Sequence, residues 1–208
     1  MSPNHSGPQS GSAIPLELLR TPPRKERADA ARNRVVVLEA ASRLFAEHGV
    51  DAVSLDQIAA TAGVGKGTLF RRFGDKSGLA IALLDERERA LQESILRGAP
   101  PLGPDAPAAQ RLPAFFDAYL DYLLANLDLV RMSETASVGA RYRVGAYRFW
   151  HRHLTILLAG TPDPEHTAHA LLAAVAGEHV AALLPELGEQ RIRAGLRRLA
   201  MSQLPNAR

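Results

Sequence analysis

The apolar positions of this chain recur at helical spacing along most of its length. Val37, Leu38, Ala41, Leu44 and Phe45 lie three and four apart, His48 continues the series, and Gly49 follows as a stop. This predicts an amphipathic helix from Ala31 to His48. Leu55, Ile58, Ala59 and Ala62 make the apolar face of a short second helix that ends at Gly63. Ser54 before it and Gln57 three residues later form a capping-box pattern, in which the two side chains satisfy amides at the helix start. A third short helix runs through Leu69 to Phe73 and breaks at Gly74. Ser77 is the expected cap of a longer fourth helix, whose buried stripe holds Leu79 or Ala80, Leu83, Leu84, the stem of Arg87, Leu91 and Ile95.

The segment 98–107, GAPPLGPDAP, interrupts the period as a proline-rich linker. Helical spacing then resumes over 113–127, 128–139, 143–160, 164–187 and 189–204, with Asp163 as a cap and Pro164 in the first turn of the fourth of these. No strand pattern of useful length and no repeat occurs. The expected fold is all-α with about nine helices. A helix-turn-helix unit spans 31–76 and a larger helical part spans 77–208. Residues 1–30, rich in Pro, Ser and Gly, read as a disordered tail ending in a basic arm.

Composition narrows the possibilities. The chain has 208 residues, 46% of them apolar, and no cysteine. Disulfides, cysteine metal sites and cysteine nucleophiles are thereby excluded. No run reaches the ~18 apolar residues of a membrane span, and the N-terminus lacks the apolar core of a signal peptide. The expectation is a cytoplasmic protein without a membrane partner. Net charge is only +3, but basic residues cluster. Arg20, Arg24, Lys25, Arg27, Arg32 and Arg34 form one group, and Lys66, Arg71, Arg72 and Lys76 another. Such clusters suit a polyanion, or else a solvated surface.

The stretch TAGVGKGTLF, residues 61–70, looks like a phosphate loop. It fails as one, because Gly67 follows Gly65-Lys66, Ala60 stands where the loop's first glycine belongs, and no strand precedes it. Two short helices joined at Ala62-Gly63-Val64 instead make a helix-turn-helix, with Gly63 free to take positive φ. The start of its second helix suits a major groove, so the phosphates in question are those of DNA. Gly65 and Gly67 leave room there for close approach.

Residues 34–84 resemble, without an internal gap, the DNA-binding domain of TetR/AcrR-type transcriptional regulators. The resemblance rests on Leu44-Phe45-Ala46, Ser54 to Ile58, Ala62-Gly63-Val64, Gly67-Thr68-Leu69-Phe70, Phe73, Lys76 and Leu79. It implies base contacts from Lys66, Thr68 and Arg71, and DNA-backbone contacts from Ser54, Gly67, Phe70, Arg72 and Lys76. Gly65 stands where the family often has Ser, and Phe70 where it often has Tyr, so a cap and a phosphate-bonding hydroxyl are missing. The basic arm either adds DNA contacts or only aids solubility.

The resemblance further implies a homodimer on a palindromic operator, acting as a repressor that a small-molecule effector releases. Leu172, Val175, Leu183, Ile192, Leu196 and Leu199 in the last two predicted helices are the interface candidates, or else they complete the core of one chain. Phe116, Tyr119, Tyr122, Met132, Tyr142, Trp150, His153, Glu178 and His179 could line an effector pocket, or form core. Glu178 and His179 stand in an apolar helix and need partners if buried.

The rival reading is a helical enzyme or small-molecule-binding protein in which the DNA-binding unit is secondary. Little favours it. His166 and His169 lie three apart with no third ligand at a known spacing, and His151 and His153 face different sides of a helix. Neither H-E-x-x-H nor G-x-S-x-G occurs. No catalytic group, metal or cofactor is expected.

Overall fold

The computed structural model describes residues 24–143 and 145–204, with side chains from Asp29 onward. The chain falls into two units, Met1–Val35 and Val36–Arg208. The part of the expected tail before Arg24 lies outside the described residues. Among the described residues there are eleven helices and no strand.

Helix α1 (Arg24–His48) begins well before the expected Ala31. Its first two turns are rich in Arg, Lys and Ala, which are good helix formers, and an Asp29–Arg32 ion pair joins the second turn to the third. Helices α2 (Leu55–Ala62) and α3 (Lys66–Phe73) follow, then α4 (Lys76–Arg97). The cap of α4 is Asp75, whose carboxylate accepts the Gly78 amide at 2.8 Å, rather than Ser77. Leu79, Ala80, Leu84, Leu91 and Ile95 are its buried stripe, while Arg87 stays exposed.

The linker is compact. A Cβ on Gly103 would sit 1.7 Å from the Gly98 carbonyl oxygen, so only glycine fits that turn. Arg111 fastens it by donating to the Leu102 and Ile95 carbonyls, each at 3.3 Å. Arg111 lies on α5 (Ala108–Leu124), which packs between α4, α8 (Gly145–Leu157) and α11 (Glu189–Met201). Phe115, Leu112, Leu120, Trp150 and Leu154 are almost fully buried there. Helix α6 (Leu127–Thr135) lies on α4, and α7 (Ala140–Arg143) is a single turn before α8.

The expected helix over 164–187 is two helices, α9 (Pro164–Ala173) and α10 (Gly177–Leu187). A side chain at Gly177 would press on Val130 and Arg131 at 3.2 Å, so α10 starts hard against α6. Glu134 caps this start by accepting the Gly177 amide at 2.8 Å. Arg141 pairs with Glu134 and donates to the Leu172 carbonyl at 2.7 Å near the end of α9. One ion pair therefore satisfies backbone groups on both sides of the break.

Candidate nucleic-acid interface

The α2–α3 turn is built locally. Ser54 Oγ accepts the Gln57 amide at 3.2 Å, and Gln57 Oε1 accepts the Ser54 amide at 2.8 Å, which completes the expected capping box. Gly63 adopts φ +65°, and the Val64 amide returns to the Ala59 carbonyl at 3.0 Å. Val64 packs on the core, and Leu69 anchors α3 at 1% exposure.

That anchor turns the rest of α3 outward. Lys66, Gly67, Thr68, Phe70, Arg71 and Arg72 are all exposed, Phe70 by 62%. Gly65 is the N-cap of α3 and supplies no side-chain bond, as its identity requires. Nothing lies within 4 Å of a Cβ placed on Gly67. The chain's own packing does not demand a glycine there. Lys66 reaches Asp56 of α2 at 2.8 Å in a pair exposed on both sides, which water weakens.

Lys76 is a correction. Its ammonium donates to the carbonyls of Val50 at 2.8 Å, Val53 at 3.1 Å and Asp51 at 3.2 Å. All three N–H donors are engaged in tying α4 to the loop after α1, leaving none for a phosphate.

The effector candidates separate. Tyr119, Tyr122 and Trp150 line one cavity of about 30 Å³ between α4, α5, α6 and α8. Phe116, Met132 and His153 do not line it. Phe116 is core at 1% exposure, Met132 packs at the core's edge, and His153 is buried against the Phe115 ring. Burial, then the nearby Arg111 charge, pushes His153 down to about 4. Tyr142 is 54% exposed and stands edge-on to Tyr147. Glu178 and His179 face solvent, with Glu178 accepting from Arg131 at 2.6 Å, so neither lines the cavity.

The interface candidates also need correction. Leu172, Val175, Ile192 and Leu196 are buried within this chain; α9, which carries Leu172, packs on α8, and α11, which carries Ile192 and Leu196, closes over α5. Arg193 and Arg197 seal that contact on Asp117 and Asp121. Leu183 is half-buried, and Leu199 is exposed.

Sequence reading missed the polar residues that share the cavity with the tyrosines: Glu88, Ser133, Glu134 and Arg141. Glu88 did leave a signal, falling between Leu84 and Leu91 in the register of the buried stripe of α4. Burial pushes its carboxyl above the ordinary range. The Tyr122 hydroxyl, which donates to it at 2.9 Å, opposes that shift, while Asp85 and Glu134 add to it.

The sequence profile of bacterial regulatory proteins of the tetR family matches residues 37–83, the helices just described. Over this domain the chain is similar to regulators of the tetR family. An HTH-type transcriptional regulator of Staphylococcus aureus strain USA300 is 49% identical over 58 residues, which are 28% of this chain and 31% of that protein. The match thus spans about a third of the relative's length. The fold likeness extends further. A tetR-family regulatory protein from Rhodococcus RHA1 superposes with a TM-score of 0.59 at 20% identity, covering 85% of this chain and 98% of the other. NalD of Pseudomonas aeruginosa, the secondary repressor of the MexAB-OprM multidrug efflux pump, gives 0.56 at 20% identity over 86% and 99%. The all-helical tetR fold therefore covers most of the chain.

Proposed function

We propose that this protein is a sequence-specific DNA-binding transcriptional regulator that inserts α3 into the major groove. The observation that carries the reading is the outward face of α3. Lys66, Thr68 and Arg71 stand in solvent beside a glycine that the chain's own packing does not require. A glycine with empty space around it at a helix start suits close approach of an external backbone, and the helix amides there favour phosphate. Lys66, Thr68 and Arg71 read base edges, with Arg71 suited to guanine O6 and N7. Ser54, Gly67, Phe70 and Arg72 lie along the backbone.

One such unit reads too few base pairs for useful specificity, so two copies act on a palindrome. Leu183 of α10 and the exposed Leu199 and Met201 of α11 are the residues left to join them. The operating sense is repression, as with NalD, in the cytoplasm, with release by a small molecule that favours the DNA-incompetent state. No turnover of a substrate is expected.

Selection of bound sequences from a random DNA pool tests the reading. The expected result is a palindrome with half-sites about one helical turn, roughly 34 Å, apart. A pool that never enriches ends the proposal.

A further inference from the structure

The cavity holding Tyr119, Tyr122 and Trp150 adjoins an open cleft of about 480 Å³. Three residues line both spaces: Glu88, Ser133 and Ala146. Two of them are acceptors without a matching charge or donor. Among the described residues no Lys, Arg or His pairs with Glu88, whose bond is to the neutral Tyr122 hydroxyl. Ser133 is 4% exposed, and its Oγ donates to the Val130 carbonyl at 2.8 Å. That oxygen accepts from no donor among the described residues.

The neighbouring half of the same cavity is satisfied. There Glu134 holds the Arg141 guanidinium, which lies 5.5 Å from the centre of the Tyr147 ring. Carboxylate and aromatic face together seat a cation. Glu88, with Tyr119 and Trp150 in edge contact at 5.8 Å beside it, offers the same chemistry without one.

The geometry points to a binding site for a small protonated amine, held at the junction of cavity and cleft by Glu88 and Ser133. An ammonium supplies the counter-charge that Glu88 lacks and the N–H donor that Ser133 Oγ lacks. The apolar body of the ligand lies in the cleft along Ile81, Ala140 and Ala146. An anion is disfavoured, because Asp75 and Asp85 also line the cleft, while Arg143 is turned to the Val138 carbonyl and Ser137 hydroxyl. Around Glu88 stand Asp85 of its own helix, Tyr119 and Tyr122 of α5, Glu134 of α6, Arg141 of α7 and Tyr147 of α8. Of these, Arg141 alone is basic, and Glu134 holds it. Ionised Glu88 attracts the amine, so affinity rises with pH as this carboxyl, held high by burial, loses its proton.

The amine site stands without DNA; only its consequence for DNA rests on the regulator reading. The test is calorimetry on the full chain with benzylamine, benzyl alcohol, benzoate and benzyltrimethylammonium, with no DNA present. Benzylamine should bind at least about tenfold more tightly than the other three. Glu88→Gln should remove that preference, Ser133→Ala should weaken benzylamine about fivefold, and Glu93→Gln, on the exposed side of α4, should change nothing. These changes correspond to about 1 kcal/mol or slightly more. Glutamine keeps the Tyr122 bond, and an unchanged melting temperature will show that the fold is retained. Equal affinity for benzyl alcohol, tighter binding of benzoate, absent amine binding, or a Glu88→Gln protein that still prefers benzylamine would each overturn the assignment. Operator binding measured separately reports on the regulator reading alone.

Discussion

Glu134 accepts the backbone amide of Gly177 at 2.8 Å across 43 residues of chain. Its other oxygen pairs with Arg141, and the two side chains are 12% and 11% exposed. Burial raises the Glu134 carboxyl, while the Arg141 charge and the Gly177 amide pull it back. Glu134→Ala leaves a nearly buried guanidinium without its counter-charge and the Gly177 amide without its acceptor. Urea unfolding should show a loss of about 3 kcal/mol, and the double variant Glu134→Ala, Arg141→Met should cost less than the sum of its two single variants, because both remove one pair.

His153 makes stability depend on pH. Its folded value of about 4 lies below the ordinary 6.5, because burial and the Arg111 charge disfavour the imidazolium. The unfolded chain takes up the proton first. The stabilising effect is complete above about pH 6.5 and is lost as pH falls towards 4. The loss approaches about 3 kcal/mol. Thermal melts of His153→Leu should lose most of this slope between those two pH values.

Gly67→Ala separates stability from DNA binding. The site has open space within the chain, so the added methyl should leave stability unchanged or raise it by up to about 1 kcal/mol. The proposed groove contact predicts weaker binding to the selected operator. A variant with undiminished operator affinity would remove Gly67 from the interface.

Lys76 and Arg71 should divide in the opposite way. Lys76→Met loses three charge-assisted bonds to the loop after α1, and stability should fall by about 2 kcal/mol. Arg71→Ala should leave stability within about 0.5 kcal/mol. At one base position of the operator it should cost about 1 to 3 kcal/mol. Uniform weakening across sequences would place Arg71 on phosphate instead.

Leu199→Glu tests the pairing of copies. The residue is 42% exposed on α11, so the single chain should stay folded. Sedimentation should show dissociation at concentrations where the parent chain is paired; an unchanged mass would move the interface elsewhere.

The reach of each interaction along the chain divides what the sequence disclosed from what it hid. Ser54, Gln57 and Gly63 act within a few residues of themselves, and their cap and turn were readable. Helical spacing located Leu172, Val175, Ile192 and Leu196 on apolar faces. Spacing does not say which surface covers a face, and here it is this chain's own α5 and its neighbours. The same limit applies to Glu178, whose partner Arg131 lies 47 residues away at the surface. Lys76 resembled a phosphate ligand because its charge was visible, while the carbonyls it serves lie 23 to 26 residues earlier. The break before Gly177 carries no proline, and it exists because Glu134 and Arg141 satisfy its ends. Glu88 was readable in principle, as a carboxylate in the register of a leucine stripe.

The 22 residues of α4 run unbroken from the loop behind α3 to the linker, and Glu88 sits near the middle. At about 1.5 Å per residue the helix is about 33 Å long. Were it to move as one rod, a tilt of roughly 5° about one end would carry the other through about 3 Å. That shift is comparable to the length of a hydrogen bond, and applied in mirror image to two copies it would double in the distance between their reading heads.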